Sequence, residues 1–194
     1  MKIGLDIDQT MYHLDAIDQV SYLLGLDFKT EDVKHWVYDK QRINGFPKHF
    51  TDLVFALFDD PEYMGSLKIY DGVQEKLKEW KEAGHNLYVV SARRPNVQIA
   101  SVTMLNRDFG VGFFDSIHFV EHKTDAKENL FKKLELDVWI DDNPKDIENA
   151  CYIGIKTVAI NNKYTHYNDE KVEHCMNVYD HFKYVKSIGE IVLW

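Results

Sequence analysis

The strongest constraint on this chain is a series of short apolar runs, several of which end on an acid or a hydroxyl. They are residues 2–6 (KIGLD), 86–91 (NLYVVS), 116–120 (SIHFV), 137–141 (DVWID) and 155–160 (IKTVAI). Such runs are too short for helices, and apolar residues on both faces mark strands buried within a sheet. Helical patterns lie between them. In 71–84, Val73, Leu77 and Trp80 recur at helical spacing, and Gly84 supplies a stop. Residues 95–108 start at Pro95 and residues 124–134 at Thr124, with Leu130 and Leu134 on one face. Residues 143–152 start at Asn143-Pro144. Strand and helix in alternation predict a parallel sheet with helices on both faces. Ligands of such folds sit at the carboxyl ends of the strands.

Residues 11–70 break the alternation and are expected to be wholly helical. Leu14, Ile17, Ser21 and Leu24 form one stripe ending at Gly25, and Thr30 is placed to cap a helix carrying Val33, Trp36 and Val37. Phe50, Leu53, Val54, Leu57 and Phe58 follow the helical template, which Asp59-Asp60-Pro61 interrupts. The expected fold is therefore α/β: a three-layer Rossmann-like core over 1–10 and 71–194, with a small helical cap over 11–70 after the first strand. Residues 178–194, with Val178, Phe182, Val185 and Ile188, suit a closing helix.

A chain of 194 residues, 45% hydrophobic and 28% charged, suits one core with a modest insertion. A net charge of −9 argues against a long nucleic acid as partner, because such binding rests on basic contacts to phosphates. A small phosphorylated molecule can still be held by a local positive site. No apolar run nears the roughly 20 residues needed to span a bilayer, so no membrane partner is expected. The N-terminus reaches acids by its sixth residue and has no apolar block of signal-peptide type. A cytoplasmic address follows as the expectation, and the two cysteines, Cys151 and Cys175, fit a reducing compartment. The histidines and cysteines show no zinc-ligand spacing.

Four features fall at ends of the expected strands. Asp6 and Asp8 point to one side of an extended chain, with Thr10 beyond them. One such acid can attack phosphorus or hold a metal while the other exchanges a proton with a leaving oxygen. Ser91, Ala92 and Arg93 end the second run, where a hydroxyl, backbone N–H groups and a guanidinium can hold phosphate oxygens. Arg94 follows as a second guanidinium. Lys123 follows the third run and can neutralise a phosphoryl group, with Lys127 competing for that role. Asp141 and Asp142 end the fourth run. Adjacent carboxylates on a buried strand call for a cation, and Mg²⁺ is a hard ion that takes oxygen ligands. Capping of the following helix is the other use of one aspartate.

This order, Asp-x-Asp-x-Thr, serine, lysine, Asp-Asp, resembles the haloacid dehalogenase-like phosphatase superfamily over roughly 1–10 and 70–160. The resemblance implies an Mg²⁺-dependent phosphatase. Asp6 would be the nucleophile that becomes an aspartyl phosphate, and Asp8 the general acid and base. Ser91 and Lys123 would hold phosphoryl oxygens. Asp142, Asp6 and the Asp8 carbonyl would bind Mg²⁺, supported by Asp141. The short chain, the cap, and the SARR and WIDDNP segments look like the 5'(3')-deoxyribonucleotidase group, although Gln9 and Thr10 stand where that group commonly has glycine and valine. That likeness implies a nucleoside monophosphate as partner, with Trp36, Tyr38 and Phe46 as candidates to stack its base and a homodimer as an option. A sugar phosphate or another small ester is the same-chemistry alternative. A non-catalytic phosphate- or nucleotide-binding relative is the other. A phosphoreceiver domain does not fit, because its acids and lysine come in a different order.

Overall fold

The computed structural model describes residues 1–33, 36–37, 42–43, 45–121, 126–162, 164–165 and 169–194, with backbone alone at 36, 37, 42 and 126. Strand β1 is Lys2–Leu5. An insert follows, made of β2 (Tyr12–His13), α1 (Ala16–Leu24), a 3-10 turn at Thr30–Asp32, β3 (Trp36–Val37), β4 (Arg42–Ile43), α2 (Lys48–Phe58), α3 (Pro61–Ser66) and β5 (Lys68–Ile69). Helix α4 (Val73–Glu82), β6 (Asn86–Ser91), α5 (Pro95–Phe109), β7 (Ser116–Phe119), α6 (Ala126–Leu134) and β8 (Val138–Asp141) come next. The chain ends with α7 (Pro144–Tyr152), β9 (Lys156–Ile160), α8 (Asp169–Val178), β10 (Phe182–Val185) and a 3-10 turn at Ile188–Glu190.

Among the described residues the main sheet has six parallel strands in the order β10-β9-β8-β1-β6-β7. Alternation along the strands shows why it is covered twice. Ile3, Leu5, Leu87, Val89, Val138 and Ile140 enter one core with Leu77 and Trp80 of α4. Val90 and Trp139, facing the opposite way, pack with Phe131 of α6 and Ala150 of α7. Both faces are apolar because both are buried. The α/β class with helices on both faces is therefore observed.

β1 lies at the centre, between β6 and β8. The chain builds outward to β7, then returns across β1 to β8, so the order reverses there. Crevices at such reversals, at the carboxyl ends of the strands, are where ligands bind. Asp6, Ser91, Asp141 and Asp142 all leave the sheet at that edge.

The insert departs from the wholly helical expectation. Its entry and exit, β2 and β5, pair antiparallel, Tyr12 with Ile69 and His13 with Lys68. Trp36–Val37 pairs with Arg42–Ile43, where a helix capped by Thr30 was expected. Two-residue strands are too short to show a period, so they cannot be told from helix by pattern. The helices α1 and α2 do form. Gly25 ends α1 with φ 66°, and α2 stops at Phe58, before Asp60 caps α3 through the N–H groups of Glu62 and Tyr63. The expected closing helix over 178–194 is replaced by the end of α8, the edge strand β10 and a 3-10 turn. Val178 and Phe182 do share helical spacing, but Phe182 pairs with Thr157 of β9 instead.

Gly4 is required by this packing. A Cβ there would lie 2.5 Å from Leu136 Cδ1 and 2.7 Å from Trp139 Cε3. Gly4→Ala is expected to lower stability by about 1–3 kcal/mol, the usual cost of overpacking a core. Urea unfolding checks this, and an unchanged midpoint would contradict the packing described.

Candidate active site

The backbone N–H of Asp6 donates to the Ile140 carbonyl at 3.0 Å, which extends the β1/β8 pairing by one residue. The chain then folds back on itself. Gln9 takes φ 53°, in the left-handed region, and the N–H groups of Met11 and Tyr12 both donate to the Ile7 carbonyl at 3.0 Å. This turn carries Asp8 and Thr10 over the sheet edge before β2 leaves for the insert. The Gln9 side chain locks it, donating to the Leu14 carbonyl and accepting from the Tyr70 hydroxyl.

A buried charge cluster sits on that edge. Lys127 Nζ donates to Asp6 Oδ1 at 2.8 Å and Asp141 Oδ2 at 3.0 Å, and lies 2.9 Å from Asp146 Oδ2. It also stands 5.1 Å from the centre of the Trp139 ring. Asp6 Oδ2 accepts the Asp8 N–H at 3.0 Å. Asp141 accepts from Lys127, from Trp139 Nε1 at 3.1 Å and from the Asn143 N–H at 2.9 Å. Thr10 Oγ1 lies 3.5 Å from Asp142 Oδ1. Asn143 itself caps α7, accepting the Lys145 N–H at 3.0 Å, and Pro144 opens the helix. The paired aspartates are therefore not needed as caps.

Burial raises the pKa of Asp6. Lys127 opposes this, and Asp8 adds to it. Asp141 is held well above the ordinary aspartate range by burial, again against the pull of Lys127. Burial also works against the Lys127 ammonium, but Asp141, Asp146 and Asp6 outweigh it and hold its pKa well above the usual lysine value. The cluster is short of positive charge. One oxygen each from Asp6, Asp141 and Asp142 lies within 4.8 Å of the others. Hard carboxylate oxygens at that spacing fit Mg²⁺, and the raised acids are what a divalent cation would relieve.

The sequence candidates are distributed as follows. Asp6, Thr10, Asp141 and Asp142 meet at the cluster. Ser91 is buried at the end of β6, and its Oγ lies 3.4 Å from the Arg93 N–H. Ala92 stands between the two. Arg93 does not stand open to a phosphate: its guanidinium is bound to Asp8, Ser101 and the Met64 carbonyl. The Asp8 side chain is likewise bound to Arg93 and lies outside the carboxylate cluster, so only its carbonyl, as expected from sequence, is a candidate metal ligand. Arg94 pairs with Asp59. Lys123 and Tyr38 lie outside the described residues, as does the Trp36 side chain. The lysine in the cluster is Lys127. Phe46 stacks on Phe50 at 5.4 Å and meets Phe28 edge-on at 5.1 Å. Its ring is partly buried. Asp146 was not foreseen, since an acid in a first helical turn is common for helix-dipole reasons alone.

No family model matches the chain. An enolase-phosphatase E1 from Aquifex aeolicus is 24% identical over 156 residues, 73% of this chain and 68% of that protein. A provisionally named nucleotidase from Oceanobacillus iheyensis is 23% identical over 167 residues, 84% of this chain and 88% of that one. A solved haloacid dehalogenase family hydrolase from Deinococcus radiodurans shares the fold, with a TM-score of 0.56 at 15% identity over 81% of this chain and 79% of that one. Together these findings show a fold shared with a haloacid dehalogenase family hydrolase and a sequence likeness to an enolase-phosphatase and a nucleotidase-named protein.

The cluster sets an expectation for metal and pH. With metal stripped by EDTA, Asp6 and Asp141 hold protons in the folded state at pH values where unfolded aspartates have lost them. Their contribution to stability therefore falls as pH rises through the raised values. Mg²⁺ competes with those protons, so it should raise the melting temperature more at about pH 8 than at about pH 5. At a hundredfold excess over its dissociation constant the gain is about 2.7 kcal/mol. Asp142→Asn should remove the shift. Calorimetry with no Mg²⁺ effect at either pH would contradict a metal site here.

Proposed function

We propose that the protein is an Mg²⁺-dependent phosphomonoester hydrolase that works through an aspartyl phosphate on Asp6. The observation that carries this reading is the buried Asp6 carboxylate held at 2.8 Å by Lys127 beside Asp141. A carboxylate fixed in a water-poor site next to a cation is suited to attack an anionic phosphorus.

The steps follow from the residues. An Asp6 oxygen attacks phosphorus, and the bond from phosphorus to the ester oxygen breaks. Asp8 gives its proton to that leaving oxygen. Water then attacks the phosphorus of the aspartyl phosphate while Asp8 takes its proton. The bond to Asp6 breaks, releasing phosphate and restoring the carboxylate. Lys127 offsets the charge that builds as two anions meet. Ser91 and the N–H groups after it hold phosphoryl oxygens. Asp6, Asp142 and the Asp8 carbonyl are the proposed Mg²⁺ ligands, with Asp141 orienting the cluster; the ion would add the Lewis acidity and charge that one lysine does not supply.

The insert over 11–70 serves as a cap on this edge. The proposed substrate is a nucleoside monophosphate, taken without a long nucleic acid or a membrane. The SARR and WIDDNP segments and the nucleotidase name given to the Oceanobacillus relative support it. The enolase-phosphatase relatives favour testing other small esters beside it. Among the described residues no helix is long and apolar enough to cross a membrane.

The test is phosphate release from nucleoside monophosphates and sugar phosphates, with and without Mg²⁺, by wild type and Asp6→Asn. Wild type should require Mg²⁺ and favour deoxynucleotides. Asp6→Asn should lose activity by about 10³-fold or more, as when one member of a catalytic unit is removed. A folded Asp6→Asn with wild-type rates would refute the nucleophile. A preference for sugar phosphates would refute the nucleotide.

A further inference from the structure

Arg93 has a buried side chain, 2% exposed, while its partner Asp8 is 25% exposed and is tied to Asp6 through its own N–H, 3.0 Å from Asp6 Oδ2. Arg93 Nε donates to Asp8 Oδ2 at 3.0 Å and Nη2 to Asp8 Oδ1 at 2.6 Å. Nη1 donates to Ser101 Oγ at 2.8 Å and to the Met64 carbonyl at 3.3 Å. Ser101 Oγ donates in turn to the Val97 carbonyl at 2.7 Å. The fork is thus anchored in α5 and α3, two helices packed so closely that a Cβ on Gly65 would lie 3.3 Å from Ala100 Cβ. A two-point contact from a fixed guanidinium sets both the place and the plane of a carboxylate. Asp8 sits on a loop, so its own backbone does not fix that plane. A carboxylate has about four lone-pair sites, so two bonds to Arg93 leave each oxygen able to exchange a proton.

We propose that Arg93 is a positioning residue, which holds the Asp8 carboxylate in the orientation from which it exchanges protons with the leaving oxygen and with water. The inference rests on the phosphatase reading above. It also links the insert to the chemistry, because Met64 belongs to α3.

Leaving-group dependence separates positioning from mere structural support. An alkyl phosphate must have its leaving oxygen protonated, whereas p-nitrophenyl phosphate expels a stable phenolate without help. The value of kcat/KM reports the first chemical step in both cases. In Arg93→Met it should fall about 10²-fold or more for the alkyl ester, the scale of general acid catalysis, and less than about tenfold for the nitrophenyl ester. The ratio of the two values does not depend on how much of the variant is folded. Arg93→Lys keeps the charge without the fork and should shift the ratio in the same direction. Ser101→Ala removes one anchor of the fork and should shift the ratio in the same direction by a smaller factor. Adding Arg93→Met to Asp8→Asn should cost the alkyl ester nothing further, since both changes remove one function. Equal losses on both esters would overturn the positioning role and leave the phosphatase reading standing. A wild type that hydrolyses neither ester would overturn that reading itself.

Discussion

The site depends on one ammonium group buried among carboxylates. Lys127 bridges Asp6 and Asp141 and touches Asp146, and so joins residues that follow or end β1 and β8 to the first turns of α6 and α7. Removing one partner of a buried pair typically costs about 3–5 kcal/mol, a large share of the roughly 5–15 kcal/mol that holds a domain folded. A charge cluster of that cost is hard to explain as a device for stability, since well-packed apolar residues would do as well. It is explained by chemistry that needs a nucleophilic acid, a counter-charge and metal ligands at one point. The raised pKa values of Asp6 and Asp141 express the same imbalance from the other side.

The sheet makes this concentration of charge achievable. β1 is hydrogen-bonded on both sides, and Gly4 lets the Trp139 ring approach it closely. Trp139 then serves three ends: it fills the core on one face, its Nε1 donates to Asp141, and its ring lies near Lys127. The same edge receives the insert. Arg93 bonds to Met64, and Arg107 donates to the carbonyls of Gly65 and Leu67 at 3.0 and 3.1 Å. The last turn of α3, whose carbonyls lack partners within the helix, is therefore closed by arginines of the core.

Much of the core was legible in the sequence because its strands are apolar on both faces and its helices have clear starts. Asp6, Ser91 and the Asp141-Asp142 pair could be read because each ends such a strand. Three things could not be read. The strands β2 and β5 are two residues each, shorter than any period. β10 shares the spacing of Phe182 and Val185 with a helix, and only its pairing with β9 decides. The lysine was the third: Lys123 and Lys127 are four residues apart in the sequence, which alone gives no reason to prefer Lys127, the lysine bound to Asp6. Arg93 shows the same limit. Its charge was evident, but its partner Asp8 lies far along the chain, and only the fold brings the two together.

The most direct measurement is chemical capture of the covalent intermediate. Protein turning over a phosphate ester with Mg²⁺ is quenched in acid, reduced with borohydride and mapped by peptide mass spectrometry. An acyl phosphate is reduced to the alcohol, so the account predicts homoserine at position 6 and none in Asp6→Asn. Homoserine at another aspartate, or turnover with no reduced residue under conditions that preserve acyl phosphates, would contradict it.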